Sequence, residues 1–402
     1  MTDNKVLKIT DDVSWTGVLD KDIVTFDIVM ETREGTTYNS YFINADKKVV
    51  IDTVKDGFQD IFLQKLRLIT DLSQIDYIVV THTEPDHSGS LKYLLELAPK
   101  AVVYGSRQAI NYLQDMVNRP FQYEVVKDGD VLDLGNKKLT FISAPNLHWP
   151  DSIYAWLHED RLLFTCDSFG AHFCREAMFD DLTGPYEESF KYYFDVILRP
   201  FSNFMVKALE KIKDLDIQMI CPGHGPILRS TWKEKVKITG RYAEQYIADS
   251  LCLDNSILIT YVSAYGYTKQ MADAISEGIR EVVDYKINII DLENIMLGEL
   301  EEHIVRSKSL LIGSPTINQN TLLPVYRMFA VINPMRDKGK KAAAFGSFGW
   351  SGEAVKLIEN QLRALKLNVV MDGFSAKFSP NDEKHRQMVE FGKSFARYLV
   401  EK

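Results

Sequence analysis

Val79-Val80-Thr81-His82-Thr83-Glu84-Pro85-Asp86-His87-Ser88-Gly89 packs four metal-ligand side chains into six residues, directly after the apolar run Tyr77–Val80. A short β-branched run of this kind predicts a strand. The four polar groups then fall at its carboxyl end, where loops on a rigid scaffold commonly carry function. Pro85 predicts a rigid, non-helical segment. In an extended segment, residues spaced by two project together, so His82, Glu84 and Asp86 would face one way. Alone, Asp86 also reads as a turn residue or as the N-cap of a helix after Ser88.

Three more candidates follow later predicted strands. His148 comes after Leu139–Ser143, Asp167 after Leu162–Cys166, and His224 lies in Cys221-Pro222-Gly223-His224-Gly225 after Ile217–Ile220. Together with the first run they predict a two-metal site. His158, His303 and His385 read as surface or satisfied core, and His172, five residues after Asp167, reads either way. The set His82, Glu84, Asp86, His87, His148, Asp167 and His224 offers four imidazoles and three carboxylates. Imidazole with carboxylate suits iron, whereas zinc favours nitrogen and sulfur donors at low coordination number.

The 402 residues predict two or three domains, and 46% hydrophobic with 26% charged residues is ordinary for a globular chain. A net charge of -9 argues against nucleic acid or an anionic membrane as the main partner. No apolar run approaches the ~18 residues of a membrane helix, and Met1-Thr2-Asp3-Asn4-Lys5 has no signal pattern. Cys166, Cys174, Cys221 and Cys252 form no C-x-x-C pair. That excludes a fused rubredoxin module and, in a signal-free chain, points to the cytoplasm.

The character of the chain changes near residue 250. Before it, short strands (Thr25–Met30, Tyr41–Ile43, Val49–Thr53, Val102–Gly105, Ile153–Leu157) mix with helices (Gly57–Ile69, Gly89–Leu97, Arg107–Met116), and two packed sheets with helices outside would explain the pattern. The helical pattern Trp232–Ile247 leads into a linker, Asp249–Asn255. After it, strands Ile257–Val262, Ile287–Asp291, Ser309–Gly313, Ala342–Gly346 and Asn368–Met371 are read with helices Thr268–Val282, Leu322–Val331, Glu353–Leu362 and Glu383–Leu399. Apolar strands between amphipathic helices indicate a doubly wound parallel sheet. The predicted domains are therefore 1–250 and 254–402.

Three loops of the second domain fall at strand ends. Ser263-Ala264-Tyr265-Gly266-Tyr267-Thr268 opens a helix, whose first N–H groups and dipole suit a phosphate. Gly313-Ser314-Pro315-Thr316 leads to Asn318 and Asn320. Phe345-Gly346-Ser347-Phe348-Gly349-Trp350-Ser351-Gly352 supplies glycines for close approach and two aromatic rings for stacking on a flat ring. Neither G-x-G-x-x-G nor a Walker loop occurs. Each loop alone could be a tight turn; three in register predict FMN.

The metal run resembles the H-x-H-x-D-H motif of the metallo-β-lactamase superfamily, and His148, Asp167 and His224 follow in its order. Glu84 stands where most hydrolase members have a second His. This variant, followed by loops similar to those of flavodoxins, resembles the flavodiiron proteins, or A-type flavoproteins, over nearly the whole chain. Tyr265 departs from the small hydroxyl residue common in flavodoxins. The resemblance implies a metallo-β-lactamase-like αββα sandwich followed by a flavodoxin-like sheet. It implies one iron on His82, Glu84 and His148 and another on Asp86, His87 and His224, with Asp167 and a solvent oxygen bridging them. The His87 position does not bind iron directly in every member. It further implies reduction of O2 to water or of NO to nitrous oxide. Electrons would pass through FMN from a separate donor such as rubredoxin or a reduced deazaflavin coenzyme, in a head-to-tail homodimer or a dimer of dimers. Tyr193 is a candidate proton donor or pocket wall, and ordinary core packing is an equal reading; Trp149 is a similar wall candidate. Two alternatives are a zinc hydrolase with a flavodoxin-like appendage, and an FMN electron carrier whose first domain is only a scaffold.

Overall fold

Side-chain alternation in the short strands sets the architecture of the first half. In strand Tyr41–Asn44, Tyr41 and Ile43 join one core and Phe42 another, because successive residues of a strand point to opposite faces. A sheet with two apolar faces must be covered on both sides. The computed structural model describes residues 5–26, 30–251, 255–334 and 336–400. They fall into two units, Met1–Tyr246 and Ile247–Lys402.

The first unit holds two main sheets. One runs in the order Leu7–Lys8, Val13–Trp15, Tyr41–Asn44, Lys48–Ile51, Tyr77–Val79, Val102–Gly105, Gln122–Val125; the other runs Val131–Asp133, Lys138–Ser143, Ile153–Leu157, Leu162–Cys166, Met219–Pro222. Val49, Ile51 and Val79 of the first meet Leu139, Phe141, Ala155 and Phe164 of the second in the central core. On the outer face of the first sheet, Phe42, Val50 and Ile78 pack with Phe62 and Leu66 of helix Gln59–Arg67 and Ile110 and Leu113 of helix Arg107–Val117. On the outer face of the second, Tyr154, Trp156 and Leu163 pack with Phe190, Leu198, Met205 and Ile212. The result is an αββα sandwich.

The second unit is one parallel sheet in the order Lys286–Asp291, Ser256–Tyr261, Ser309–Gly313, Lys341–Phe348, Asn368–Val369, with Phe374–Lys377 also paired to Lys341–Phe348. Helices Tyr267–Arg280 and Asp382–Val400 cover one face; Leu297–Arg306, Leu323–Val331 and Glu353–Ala364 cover the other. This is the flavodoxin-like strand order, in which ligands bind where the winding reverses. Helices Tyr267–Arg280 and Asp382–Val400 cross closely because Gly278 and Gly392 lack side chains: a Cβ on either would lie 1.9 Å from Val389 O or 2.1 Å from Ile275 O.

Several expectations need correction. Pro85 does not keep its segment out of helix: Pro85–Ser88 is a short helix with Pro85 in its first turn, where the ring's fixed φ is favourable and no N–H is needed. Asp86 therefore sits inside that helix rather than capping a later one. Thr25–Met30 is not one strand but the antiparallel pair Thr25–Phe26 and Met30–Glu31, with residues 27–29 outside the described set. Helix Leu297–Arg306 was not foreseen. Helix Trp232–Leu251 runs into the expected linker, of which residues 252–254 lie outside the described set.

Candidate functional site

The carboxyl ends of the strands in both sheets of the first unit bring the predicted ligands together. Strand Tyr77–Val79 leads to His82 and Glu84, Lys138–Ser143 to His148, Leu162–Cys166 directly to Asp167, and Met219–Pro222 to His224. The turn of helix Pro85–Ser88 breaks the two-residue periodicity. Donor atoms of His82, Glu84, His148 and Asp167 form one cluster and those of Asp86, His87 and His224 another, each within 4.8 Å.

Asp167 joins the clusters. Its Oδ2 lies 3.4 Å from both His82 Nε2 and His148 Nε2, while its Oδ1 lies 3.1 Å from His87 Nε2 and 3.5 Å from His224 Nε2. Glu84 Oε2 is 3.2 Å from His82 Nε2 and 2.8 Å from His148 Nε2, and Asp86 Oδ2 is 3.1 Å from His224 Nε2. Around an ion with ligands at about 2.1 Å, donors subtending right to tetrahedral angles are about 3.0–3.4 Å apart. Both oxygens of buried Asp86 and Oδ2 of buried Asp167 have no hydrogen-bond partner, a costly state unless a cation satisfies them. The residues present thus fit two metal ions sharing one carboxylate.

The electrostatics favour cations. Burial presses His82 down, but the Asp151 and Glu84 carboxylates beside it and the charge of Asp167 outweigh this and carry it up to about 10. Burial likewise opposes ionisation of Asp167, yet His87 and the neighbouring imidazoles hold it well below the usual carboxylate range. Metal binding to such a site displaces protons.

Of the residues that surround the donors, Tyr193, His172 and Trp149 were already candidates in the sequence, whereas Thr37, Asn39, Asp52, Asp151 and Phe201 escaped it. His224 Nδ1 donates to Thr37 O at 2.6 Å, which leaves Nε2 for the cluster. Asn39 Nδ2 donates to Pro222 O at 2.9 Å and Gly225 O at 3.0 Å, holding that loop. Asp52 accepts from Thr81 N at 2.7 Å and Thr81 Oγ1 at 2.5 Å, just ahead of His82. Asp151 follows His148 closely in His148-Trp149-Pro150-Asp151 and lies 3.4 Å from His82 Nδ1. Buried Tyr193 donates its hydroxyl to Asp167 Oδ1 at 3.0 Å. His172 is buried beside Tyr193 and His224, with ring centroids at 4.8 and 5.2 Å, and its Nδ1 is 2.9 Å from Thr36 Oγ1. It belongs to neither donor cluster. Trp149 approaches the His82 ring to 5.2 Å, and Phe201 the His148 ring to 6.3 Å.

The family description ODP family beta lactamase matches residues 36–225, and Flavodoxin matches 259–392. A flavo-diiron protein of Clostridium acetobutylicum is 40% identical over 400 residues, covering 98% of this chain and 99% of its own. This chain belongs to the flavodiiron protein family. A nitric oxide reductase of Moorella thermoacetica is 34% identical, with 98% of each chain covered. The structure of a rubredoxin oxygen:oxidoreductase of Desulfovibrio gigas superposes with TM-score 0.73 at 27% identity, over 98% of each chain.

The second unit of this flavodiiron protein brings its three loops to the carboxyl ends of adjacent central strands. Gly266 (φ +81) turns the chain from Ser256–Tyr261 into helix Tyr267–Arg280. Ser263 Oγ accepts from Lys269 N at 3.4 Å, and the buried Thr268 and Ser347 hydroxyls meet at 3.0 Å, tying the first loop to the third. Thr316 N donates to Ser347 O at 2.8 Å, and Thr316 Oγ1 accepts from Ala354 N at 3.2 Å, tying the second to the third. Ser314 Oγ donates to Pro315 O and accepts from Leu322 N. Asn318 is the first of two left-handed residues in a tight turn whose Ile317 and Asn320 exchange backbone hydrogen bonds. A Cβ on Gly346 would meet Ser314 O at 2.2 Å, so only glycine lets these strand ends approach. Tyr265 and Trp350 stand out from the loops at 81% and 82% exposure, free to cover a bound ring.

Proposed function

We propose that this chain is an oxidoreductase that reduces O2 to water, NO to nitrous oxide, or both, at a non-haem di-iron site supplied through FMN. The observation that carries the reading is the pair of donor clusters sharing Asp167, in a chain aligned end to end with a flavo-diiron protein. Family membership sets the reading apart from both the zinc hydrolase and the simple electron carrier. The Moorella and Desulfovibrio relatives are named for the two reactions.

In this reading the di-iron domain spans 1–250 and the FMN domain 254–402. His82, Glu84 and His148 would hold one iron, and Asp86, His87 and His224 the other, with Asp167 between them. Ser263–Thr268, Ser314–Thr316, Asn318, Asn320 and Ser347–Gly352 would hold FMN. When bound, iron and FMN supply the electron transfer: four electrons and four protons turn O2 into two waters, and two of each turn two NO into nitrous oxide and water. The chain supplies binding, orientation and protons. Burial and the neighbouring Asp167 charge push the Tyr193 hydroxyl well above the ordinary phenol range, so it stays protonated and keeps donating to Asp167 Oδ1. The Trp149 and Phe201 rings beside His82 and His148 limit water on that side.

The electron donor is a separate molecule, rubredoxin or a reduced deazaflavin coenzyme. The working unit is a head-to-tail homodimer or a dimer of dimers, in which the FMN of one chain serves the irons of another; an isologous interface makes two such junctions. Mixing His82→Ala with a variant disrupted in Ser263–Thr268 should then restore activity that neither variant has. The setting is the cytoplasm: Cys166 and Cys221 are buried free thiols, and no helix among the described residues is long and apolar enough to cross a membrane.

The test of function is anaerobic steady-state kinetics with O2 and with NO on one sample loaded with iron and FMN. Turnover of either supports the reading. A protein carrying two irons and FMN per chain that turns over neither would overturn it.

A further inference from the structure

Three of the four clustered imidazoles, those of His82, His224 and His87, differ in what stands behind them. Behind His82 is a carboxylate: Asp151 Oδ1 lies 3.4 Å from His82 Nδ1, and Asp151 is fully buried. Its other oxygen is committed, since Asp151 Oδ2 accepts from Thr83 N and Thr83 Oγ1, both at 2.8 Å. Asp151 Oδ1 and His82 Nδ1 face each other as an ion-pair contact, and neither has a hydrogen-bond partner of its own. Behind His224 stands the neutral carbonyl of Thr37. Behind His87 no carboxylate stands: its Nδ1 is buried without a hydrogen-bond partner, and the thiol of Cys166 is its neighbour. A carboxylate behind a ligating imidazole fixes the proton on the outer nitrogen and makes the inner one more basic, and such partners are worth about 10–100-fold in metal affinity.

We infer that Asp151 is a positioning residue that makes the two metal positions unequal. By fixing the His82 tautomer it tightens the ion held by His82, Glu84 and His148, and leaves the ion at Asp86, His87 and His224 the labile one. The inference rests on the di-iron reading above. It assigns Asp151 no contact with substrate; the residue acts through His82.

Tautomer chemistry gives the test a sign that packing does not. Asp151→Asn keeps the shape and an oxygen for Thr83, but turns an amide N–H2 toward His82 Nδ1. That donor forces Nδ1 to accept, which moves the ring proton to Nε2 and blocks the ligating nitrogen. Asp151→Ala removes the Thr83 bonds as well, yet leaves His82 free to ligate. A packing role therefore makes Ala the worse variant, whereas the tautomer role makes Asn worse. The experiment is release of iron from the loaded full-length protein into a coloured iron(II) chelator under reducing, anaerobic conditions, with FMN content and circular dichroism as folding controls. The native protein should release two irons per chain in two phases. In Asp151→Asn the slow phase should quicken by about 10–100-fold, with a smaller change in Asp151→Ala. Equal or greater release from Asp151→Ala, or a native-like slow phase in Asp151→Asn, overturns the inference. A native protein that binds no iron would overturn the di-iron reading instead.

Discussion

His87 has no anchoring partner on its outer nitrogen, so what holds its ring in place is space, and Gly223 provides it. A Cβ at position 223 would lie 2.6 Å from His87 Cε1, 3.2 Å from His87 Nδ1 and 3.1 Å from the Cys166 carbonyl carbon. Gly223 is not among the positive-φ glycines, so Gly223→Ala acts through contact rather than backbone strain. Relief to an ordinary 3.4 Å contact needs a ring shift of about 0.8 Å (3.4 less 2.6), whereas metal–ligand distances tolerate about 0.2 Å. The imidazole is therefore pushed off its ion. Overpacking of this kind typically costs about 1–3 kcal/mol. Gly223→Ala should release one of the two irons more readily, keep FMN, and unfold at lower denaturant in the metal-free state. The coupling to His87 can be isolated. In a His87→Ala background the space is vacant, and the same Gly223→Ala change should cost less than about 1 kcal/mol. Denaturant midpoints of the four metal-free proteins, with iron counted per chain, form the assay. Additive costs would show that the alanine clashes elsewhere. Full iron retention in Gly223→Ala would show that His87 does not hold metal.

Tyr193→Phe should keep iron and FMN but slow turnover, by about 10²-fold if the hydroxyl serves proton delivery; unchanged kcat for both O2 and NO would leave Tyr193 as core packing. In the second unit, buried Asp337 accepts from Arg336 Nη2 at 2.6 Å and pairs with Lys340 at 3.1 Å. Burial opposes its charge, but these cations hold its carboxyl below the usual range. Because the folded value is the depressed one, the stabilisation is present above the unfolded value near ~3.9 and lost as pH falls through the folded value. Asp337→Asn should cost about 3–5 kcal/mol near pH 7, with the gap to the native protein narrowing below about pH 4; a gap independent of pH in urea melts would refute the charge account.

The ligands were legible because their chemistry is concentrated: buried imidazoles and carboxylates at strand ends have few other uses, and the strands leading to them are short apolar runs. The flavodoxin-like order was legible for a similar reason, as each central strand is buried along its length, for example Ser309–Gly313. Helix Leu297–Arg306 carried a readable signal in Leu300, Ile304 and Val305, which face the core. It was overlooked because Glu299, Glu301, Glu302 and His303 dilute a ten-residue segment. Pro85 was misread for want of position: the same ring that breaks a helix interior begins one well.

The division of labour within the site followed from the family resemblance but not from residue spacing. Spacing could place His82, Glu84 and Asp86 in one loop but not assign them to different clusters. That assignment depends on the single turn Pro85–Ser88, which rotates Asp86 and His87 away from Glu84. The supporting groups are more hidden still. Thr37 reaches His224 across 187 positions and Asn39 reaches Gly225 across 186, and a threonine in a strand or an asparagine just after it carries no motif. Asp151 escaped as well, although it lies two residues after Trp149 and three after His148 in sequence. Yet the imidazole it faces is His82, which the chain places on the other sheet. The donors of a metal site can be listed from residue types, but which donor each second residue steadies is decided by how the two sheets close over one another. The inequality that Asp151 would impose between the two metal positions therefore originates in packing rather than in the ligand motif.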